Sequence, residues 1–219
     1  MAYTFNGSTQ YLSNNSSPLG NRPTTYTMAC WVNGAAQDGR FIFCLGNSTT
    51  NNPVICIGTG ATAASQNTSY ARFFARSNNT SGTGEINLSG GPVLDSKWHH
   101  IAITWDNSEG KLYVDGTRVA NGGSMGTPQD LNRIAIGAVL RSTAAGYFNG
   151  NIAECGMWNA TANSSEIASL ATGMTCDKVR PQSLVFYAHL VRELQDMRGG
   201  LTITNNSSAT VANHPRVYA

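Results

Sequence analysis

Trp98-His-His-Ile-Ala-Ile-Thr-Trp-Asp106, followed closely by Leu112-Tyr-Val-Asp-Gly116, is the stretch whose reading decides the fold. In an extended chain successive side chains point to opposite faces. Trp98, His100, Ala102 and Thr104 then share one face, and His99, Ile101, Ile103 and Trp105 the other. Both faces carry apolar groups, so the segment 97–106 reads as a central strand covered on both sides. Asp115-Gly116 sits between two β-forming runs. Both residue types tolerate the positive φ of a type I′ turn, which predicts a two-residue hairpin.

Working outward, short runs of β-formers alternate with Gly/Asn/Ser clusters along most of the chain, the pattern of an all-β sandwich. Expected strands are 2–6, 10–13, 24–33, 40–45, 53–58, 69–76, 84–88, 97–106, 110–115, 117–121, 132–138, 147–158, 183–190, 200–204 and 208–212. One helix is expected over 163–172: Asn163-Ser-Ser-Glu166 reads as a capping box, Ile167 and Leu170 share a face, and Gly173 ends it. No linker or internal repeat divides the 219 residues, so one domain is expected. Trp31, Ile101, Ile103 and Ile152 are placed in its core, and 213–219 as an extended C-terminal arm.

Only 12% of the residues are charged, well below the usual ~25%. A neutral polar surface loses few ionic hydration shells when it packs against a neighbour, which suits an assembly. The net charge is +2, the lysines are Lys97, Lys111 and Lys178, and no basic run exists. Nucleic-acid binding therefore lacks its electrostatic footprint, and no apolar stretch is long enough for a membrane span. The N-terminus carries no basic-then-apolar leader. The five cysteines, at 30, 44, 56, 155 and 176, are odd in number and form no CxxC pair. Free thiols are expected for most, with Cys155–Cys176 the pair that could close the helix region. Asn-X-Ser/Thr triplets abound, as at Asn6, Asn15, Asn159 and Asn163. With the missing leader they favour synthesis in a cytosol, a bacterial one.

Four blocks in order resemble the laminin-G-like branch of the concanavalin A-like lectin superfamily. They are Phe5-Asn-Gly7 with Tyr11-Leu12 and Tyr26-Thr-Met-Ala-Cys-Trp-Val32; the Trp98–Asp106 and Leu112–Gly116 pair; Ile134-Ala-Ile-Gly137; and Phe148-Asn-Gly-Asn-Ile-Ala-Glu154 with Trp158-Asn159 and the helix. The resemblance implies an antiparallel two-sheet jelly roll. Members bind glycans or proteins, often with calcium, and a minority of the wider superfamily hydrolyses polysaccharides. The tail, with Leu184-Val-Phe-Tyr187, Asp196 and His214-Pro215, is similar to endings of stand-alone members in bacteriophage structural proteins.

Hydrolysis by the retaining route needs two carboxylates about 5–5.5 Å apart. The glutamates are Glu85, Glu109, Glu154, Glu166 and Glu193, with no two within ten residues; no catalytic residue is assigned. His99 and His100 project to opposite faces and cannot hold one ion together. Calcium is the one cofactor with candidates, Asp38 and Asn47 on one side and Asp106, Asn107 and Glu109 on the other, against the plainer reading that Asp and Asn form turns. For glycans, Tyr70, Arg72, Phe74 and Arg76 share one face of a strand. Aromatic faces stack on sugars and Arg donates planar hydrogen bonds; the competing reading buries the aromatics and lets the arginines snorkel. Tyr147 and Arg141 form a second candidate pair. The leading expectation is a non-enzymatic virion component assembled in the bacterial host cytoplasm. It would decorate a capsid shell or a tail as a homo-oligomer, a trimer being a natural unit, through His214, Pro215, Arg216, Val217 and Tyr218. The alternative is a lectin module for bacterial surface glycans, and a polysaccharide hydrolase comes third.

Overall fold

The computed structural model describes residues 1–60, 68–77, 84–128 and 130–218. The strands run, in order, β1 Ala2–Asn6, β2 Tyr11–Asn14, β3 Tyr26–Asn33, β4 Phe41–Gly46, β5 Val54–Thr59, β6 Tyr70–Arg76, β7 Glu85–Pro92, β8 His99–Trp105, β9 Gly110–Val114 and β10 Thr117–Gly122. After them come β11 Arg133–Ile136, β12 Val139–Leu140, β13 Ala144–Ala145, β14 Asn149–Trp158, helix α1 Ser164–Ala171, β15 Leu184–Ala188, β16 Thr204–Asn206 and β17 Thr210–Ala212. One antiparallel sheet has the order β10-β9-β8-β3-β14-β1-β17, with β15 also on β14; the other has the order β16-β2-β11-β4-β5-β6-β7. Phe5, Met28, Ile57, Phe73, Ile101, Ile103, Trp105, Ile136 and Ile152 lie in the core between them. This is the all-β sandwich that the alternation predicts, in the jelly-roll form that the resemblance implies.

β8 lies between β3 and β9 and is covered on both faces, as expected. Its Ile101, Ile103 and Trp105 enter the inter-sheet core. Ala102 faces the other way, into a second cluster with Tyr113, Trp158, Ile167 and Leu170 beneath α1. The Asp115-Gly116 turn has φ of 48° and 81°, and Val114 pairs with Thr117. At α1, the Asn163 side chain accepts from the N–H groups of Ser165 and Glu166 at 2.9 and 3.0 Å. Glu166 returns the contact by accepting the Asn163 N–H at 2.8 Å. Such a cap is worth about 1 kcal/mol.

Several expectations need correction. Trp31 is half-buried rather than core, because Cys30 and Val32 take the inward positions of β3 and Trp31 points out to meet the His100 ring edge-on. The strand expected at 200–204 starts only at Thr204. Before it, Asp196 holds a turn by accepting the N–H groups of Tyr187, Arg198 and Gly199 at 2.8, 2.9 and 2.8 Å. All five cysteines are free and buried, so the Cys155–Cys176 bridge is not formed. The tail is no extended arm. His214 lies 3.1 Å from the Glu154 carboxylate, Pro215 is buried, and the Tyr218 N–H donates to Gly173 at 2.6 Å. Arg216 lies over the Tyr218 ring at 5.5 Å, Val217 is half-buried, and Ala219 is outside the described residues.

Candidate functional site

The outer face of the β8 sheet is occupied by α1 and the segment that follows it. The outer face of the other sheet carries, among the described residues, the small hairpin formed by β12 and β13. Val139 and Ala145 of that hairpin pack on Cys44, Val54, Cys56 and Phe74. The hairpin thus divides the sheet face into two regions.

On the β6 side lie the residues singled out by alternation. Ala71, Phe73 and Ala75 are in the core; Tyr70, Arg72 and Arg76 are half-buried on the opposite face. The shared face is real, and its side chains are engaged within the fold. The Phe74 ring lies beneath both guanidinium groups, 5.0 Å from Arg72 and 4.9 Å from Arg76, tilts against Phe41, and is only 8% exposed. Arg72 donates to the Asn87 amide oxygen at 2.8 Å, and Arg76 pairs with Glu85 at 2.7 Å. Two cation–π contacts and a cross-strand ion pair consume the chemistry that a glycan would need. Phe74 is buried beneath the two arginines, as in the snorkelling reading, while Tyr70 stays half-buried rather than core.

On the other side of the hairpin is an open cleft of about 400 Å³ lined by Tyr11, Ser13, Asn14, Asn15, Arg133, Leu140, Thr204 and Asn206. Its floor is built by sheet register: Ser13 pairs with Thr204 on one side and Ala135 on the other, and Asn206 pairs with Tyr11. Leu12, Ile134 and Ile136 alternate with these residues into the core, which holds the polar set outward. Asn14 donates its amide to the Thr202 carbonyl at 2.8 Å, and Asn206 donates to Ser13 Oγ at 3.0 Å. Asn206 shares the outward face of Tyr11 and Ser13, whereas Asn14 has the parity of Leu12, pairs with the buried Ile134 and reaches the cleft from its rim. Tyr147 flanks Tyr11, with ring centroids 6.1 Å apart. Arg133 donates from Nη1 to the Arg141 carbonyl at 2.7 Å, and the Arg141 guanidinium reaches the Asn51 carbonyl at 3.4 Å.

Of the sequence candidates, then, Tyr147 and Arg141 border this cleft, while Tyr70, Arg72, Phe74 and Arg76 do not. Tyr11, Arg133, Asn14 and Asn206 were missed. The available signal was Tyr11 preceding the buried Leu12, an outward aromatic on a short strand.

The calcium candidates are engaged in turns and with Lys111. Asn47 Oδ1 accepts from the N–H groups of Thr49 and Thr50 at 2.7 and 2.9 Å and from the Thr49 hydroxyl at 2.8 Å. Asp106 Oδ1 binds the N–H groups of Ser108 and Glu109 and the Ser108 hydroxyl, and Oδ2 meets Lys111 at 3.2 Å. Glu109 accepts from Asn121 and faces Lys111 at 3.5 Å. Asn107 supplies the positive φ, 72°, of that turn, and the Asp38 carboxylate lies against the Gly60 backbone. Turn formation accounts for this set. Among the described residues no three His, Cys, Asp or Glu side chains group as a metal site would require.

His99 and His100 do face apart. His99 bridges Asp115 at 2.7 Å and Asp95 at 3.0 Å; His100 is buried, and burial pushes its pKa down to about 4. Glu154 stands at a bulge in β14 with φ of 52°. Its carboxylate accepts the Tyr187 hydroxyl and faces His214, and at 5% exposure it reaches no open cleft.

A family model described as concanavalin A-like lectin/glucanases superfamily matches residues 6–168. The chain belongs to this superfamily. Among curated proteins, rat neuronal pentraxin-1 is 30% identical over 92 residues, which are 36% of this chain and 21% of that protein; the match thus spans about a fifth of the curated relative. Among solved structures, a Bacteroides ovatus protein described as a candidate carbohydrate binder superposes with a TM-score of 0.67 at 18% identity, over 95% of this chain and 58% of that one. Domain 4 of an extracellular arabinanase from Geobacillus stearothermophilus, in complex with arabinotriose, gives 0.57 at 18% identity over 78% and 76%. At these identities the structures establish a shared lectin-like sandwich. β15, β16, β17 and the tail lie beyond the residues that the family model matches.

Proposed function

We propose that this superfamily member is a non-catalytic carbohydrate-binding domain whose site is the Tyr11–Arg133 cleft. The observation that carries the reading is the lining itself: amide and hydroxyl groups on a rigid sheet beside an accessible tyrosine. Polar groups fixed by their own hydrogen bonds lose little freedom on binding, and a tyrosine offers both a face for stacking and a hydroxyl. A volume of about 400 Å³ falls within the range of small-ligand sites. The similar structures, one described as a candidate carbohydrate binder and one in complex with arabinotriose, support the same reading.

A glycan array followed by titration calorimetry tests it. Tyr11→Ala is expected to lower affinity for the best glycan at least tenfold with little change in melting temperature. Arg76→Gln, on the far side of the hairpin, is expected to leave affinity unchanged. Full affinity in Tyr11→Ala would move the site elsewhere. The virion placement expected from the low charge is a separate matter of location, read by the presence of the chain in purified particles.

A further inference from the structure

Among the described residues that line the cleft, one is charged, Arg133. The others are a tyrosine, a serine, a threonine, a leucine and three asparagines, and no carboxylate stands among them. Arg133 forms no ion pair among the described residues. Its Nη1 donates to a neutral backbone carbonyl, and its Nε is buried without a hydrogen-bond partner. Arg141, whose carbonyl holds it, also lacks an acidic partner among the described residues and has an Nε in the same condition. Elsewhere on this chain several half-buried cations meet carboxylates, Arg76 with Glu85, Lys111 with Asp106 and Glu109, and Arg180 with Glu166, while Arg72 is held by the Asn87 amide oxygen and the Phe74 ring.

A half-buried guanidinium is a planar fork of donors suited to a carboxylate. Placed in a cleft without a counter-charge, it favours an anionic ligand over a neutral one, since a neutral sugar would fill the cleft and further desolvate the cation without compensating it. We infer that the cleft is specific for acidic glycans, with the ligand carboxylate on Arg133, the ring face on Tyr11 and the ring hydroxyls on Ser13 and Asn206. This rests on the carbohydrate-binding reading and adds the class of sugar to it. The second arginine beside the first strengthens attraction at a distance, so the association should also weaken as salt rises.

The test uses the whole chain and matched pairs of oligosaccharides: a galacturonate trimer and sialyllactose, each beside its carboxyl-reduced counterpart, with lactose as a neutral reference. Titration at low and at 0.5 M salt is the readout. The expected result is at least tenfold tighter binding of an acidic member than of its reduced partner, with the gap narrowing in salt. Arg133→Gln should erase that gap while leaving the weak binding of the reduced sugar in place. Arg133→Lys, which keeps the charge but not the fork, should retain part of it, and melting curves of both variants confirm that the fold is kept. Equal affinity within every pair, or binding of neutral sugars alone, overturns the acidic specificity and leaves the carbohydrate site standing. A gap that survives in Arg133→Gln overturns the role of Arg133. Binding of no glycan at all removes both.

Discussion

The carbonyl oxygen of Leu140 occupies the space into which a side chain on Gly46 would grow, and a Cβ there would stand 2.2 Å from it. This close approach seats the hairpin of β12 and β13 on the sheet. The contact is with backbone, which cannot swing aside as a side chain can. Gly46→Ala should therefore lift the hairpin, disturbing Leu140 at the cleft and the Arg141 carbonyl that orients Arg133. The expected cost is about 1–3 kcal/mol in denaturant stability, together with loss of glycan affinity. Gly126→Ala, whose nearest neighbour would be 3.7 Å away, serves as the neutral control. Unaltered binding in Gly46→Ala would mean that the hairpin does not shape the site.

Adjacent histidines pull stability in opposite directions with pH. Burial lowers the pKa of His99, but the carboxylates of Asp115 and Asp95 outweigh it and raise the value above the ordinary 6.5. Its contribution is fully present below pH 6.5 and is lost as pH rises through the raised value. His100 is pushed down to about 4 by burial. The folded protein keeps it neutral where the unfolded chain takes up a proton, so stability falls as pH drops from 6.5 towards 4. At roughly 1.4 kcal/mol per pH unit across that window, the loss reaches about 3 kcal/mol at pH 4. Urea midpoints measured from pH 4 to 8 should show His100→Leu flattening the acid limb and His99→Gln flattening the loss above pH 6.5. Two superimposable profiles would refute the assignment.

What the sequence made legible was local. The β8 alternation, the Asp115-Gly116 turn and the Asn163 cap each depend on neighbours within a few residues, and all three are found. The cleft depends on pairings across the chain. Tyr11, Arg133 and Asn206 come from β2, β11 and β16 and meet only through sheet register, so the asparagines read as ordinary loop polarity. Phe74 shows the converse. Its face followed from alternation, but its cover did not, because Val139 and Ala145 belong to a hairpin far along the chain. Trp31, expected in the core, is turned outward by alternation along β3, because Cys30 and Val32 take the inward positions on either side of it.

The thiols should be silent in the folded state. Cys44 and Cys56 face each other across β4 and β5 beneath the hairpin, Cys30 and Cys155 lie in the inter-sheet core, and Cys176 packs under Tyr187 and Trp158. Burial pushes the thiols of Cys44, Cys155 and Cys176 well up, which starves them of the reactive thiolate. Iodoacetamide at neutral pH should label none of the five in the native protein and all five in guanidinium without reductant, read by intact mass. Any adduct on the native protein would locate a local opening, and a site protected in guanidinium would reveal a bridge.

The tail offers the sharpest contrast with its expected role as an assembly arm. His214 meets Glu154 Oε1 at 3.1 Å while the Tyr187 hydroxyl donates to Oε2. Tyr218 exchanges backbone hydrogen bonds with Gly173 and Thr175 at 2.6 and 3.2 Å. Removing residues 214–219 strips a partner from a carboxylate that remains mostly enclosed, and an unsatisfied buried polar group costs about 1–3 kcal/mol. The truncated chain is thus expected to unfold at a lower urea concentration while its sedimentation coefficient stays close to that of the full chain. His214→Ala should reproduce much of the loss. In Glu154→Gln the His214 contact is already weakened, so adding His214→Ala should cost less than it does alone; that non-additivity isolates the pair. The opposite pattern, unchanged stability with lost self-association, would restore the arm, because the contacts of His214 and Tyr218 would then be too weak to hold the tail on its own domain.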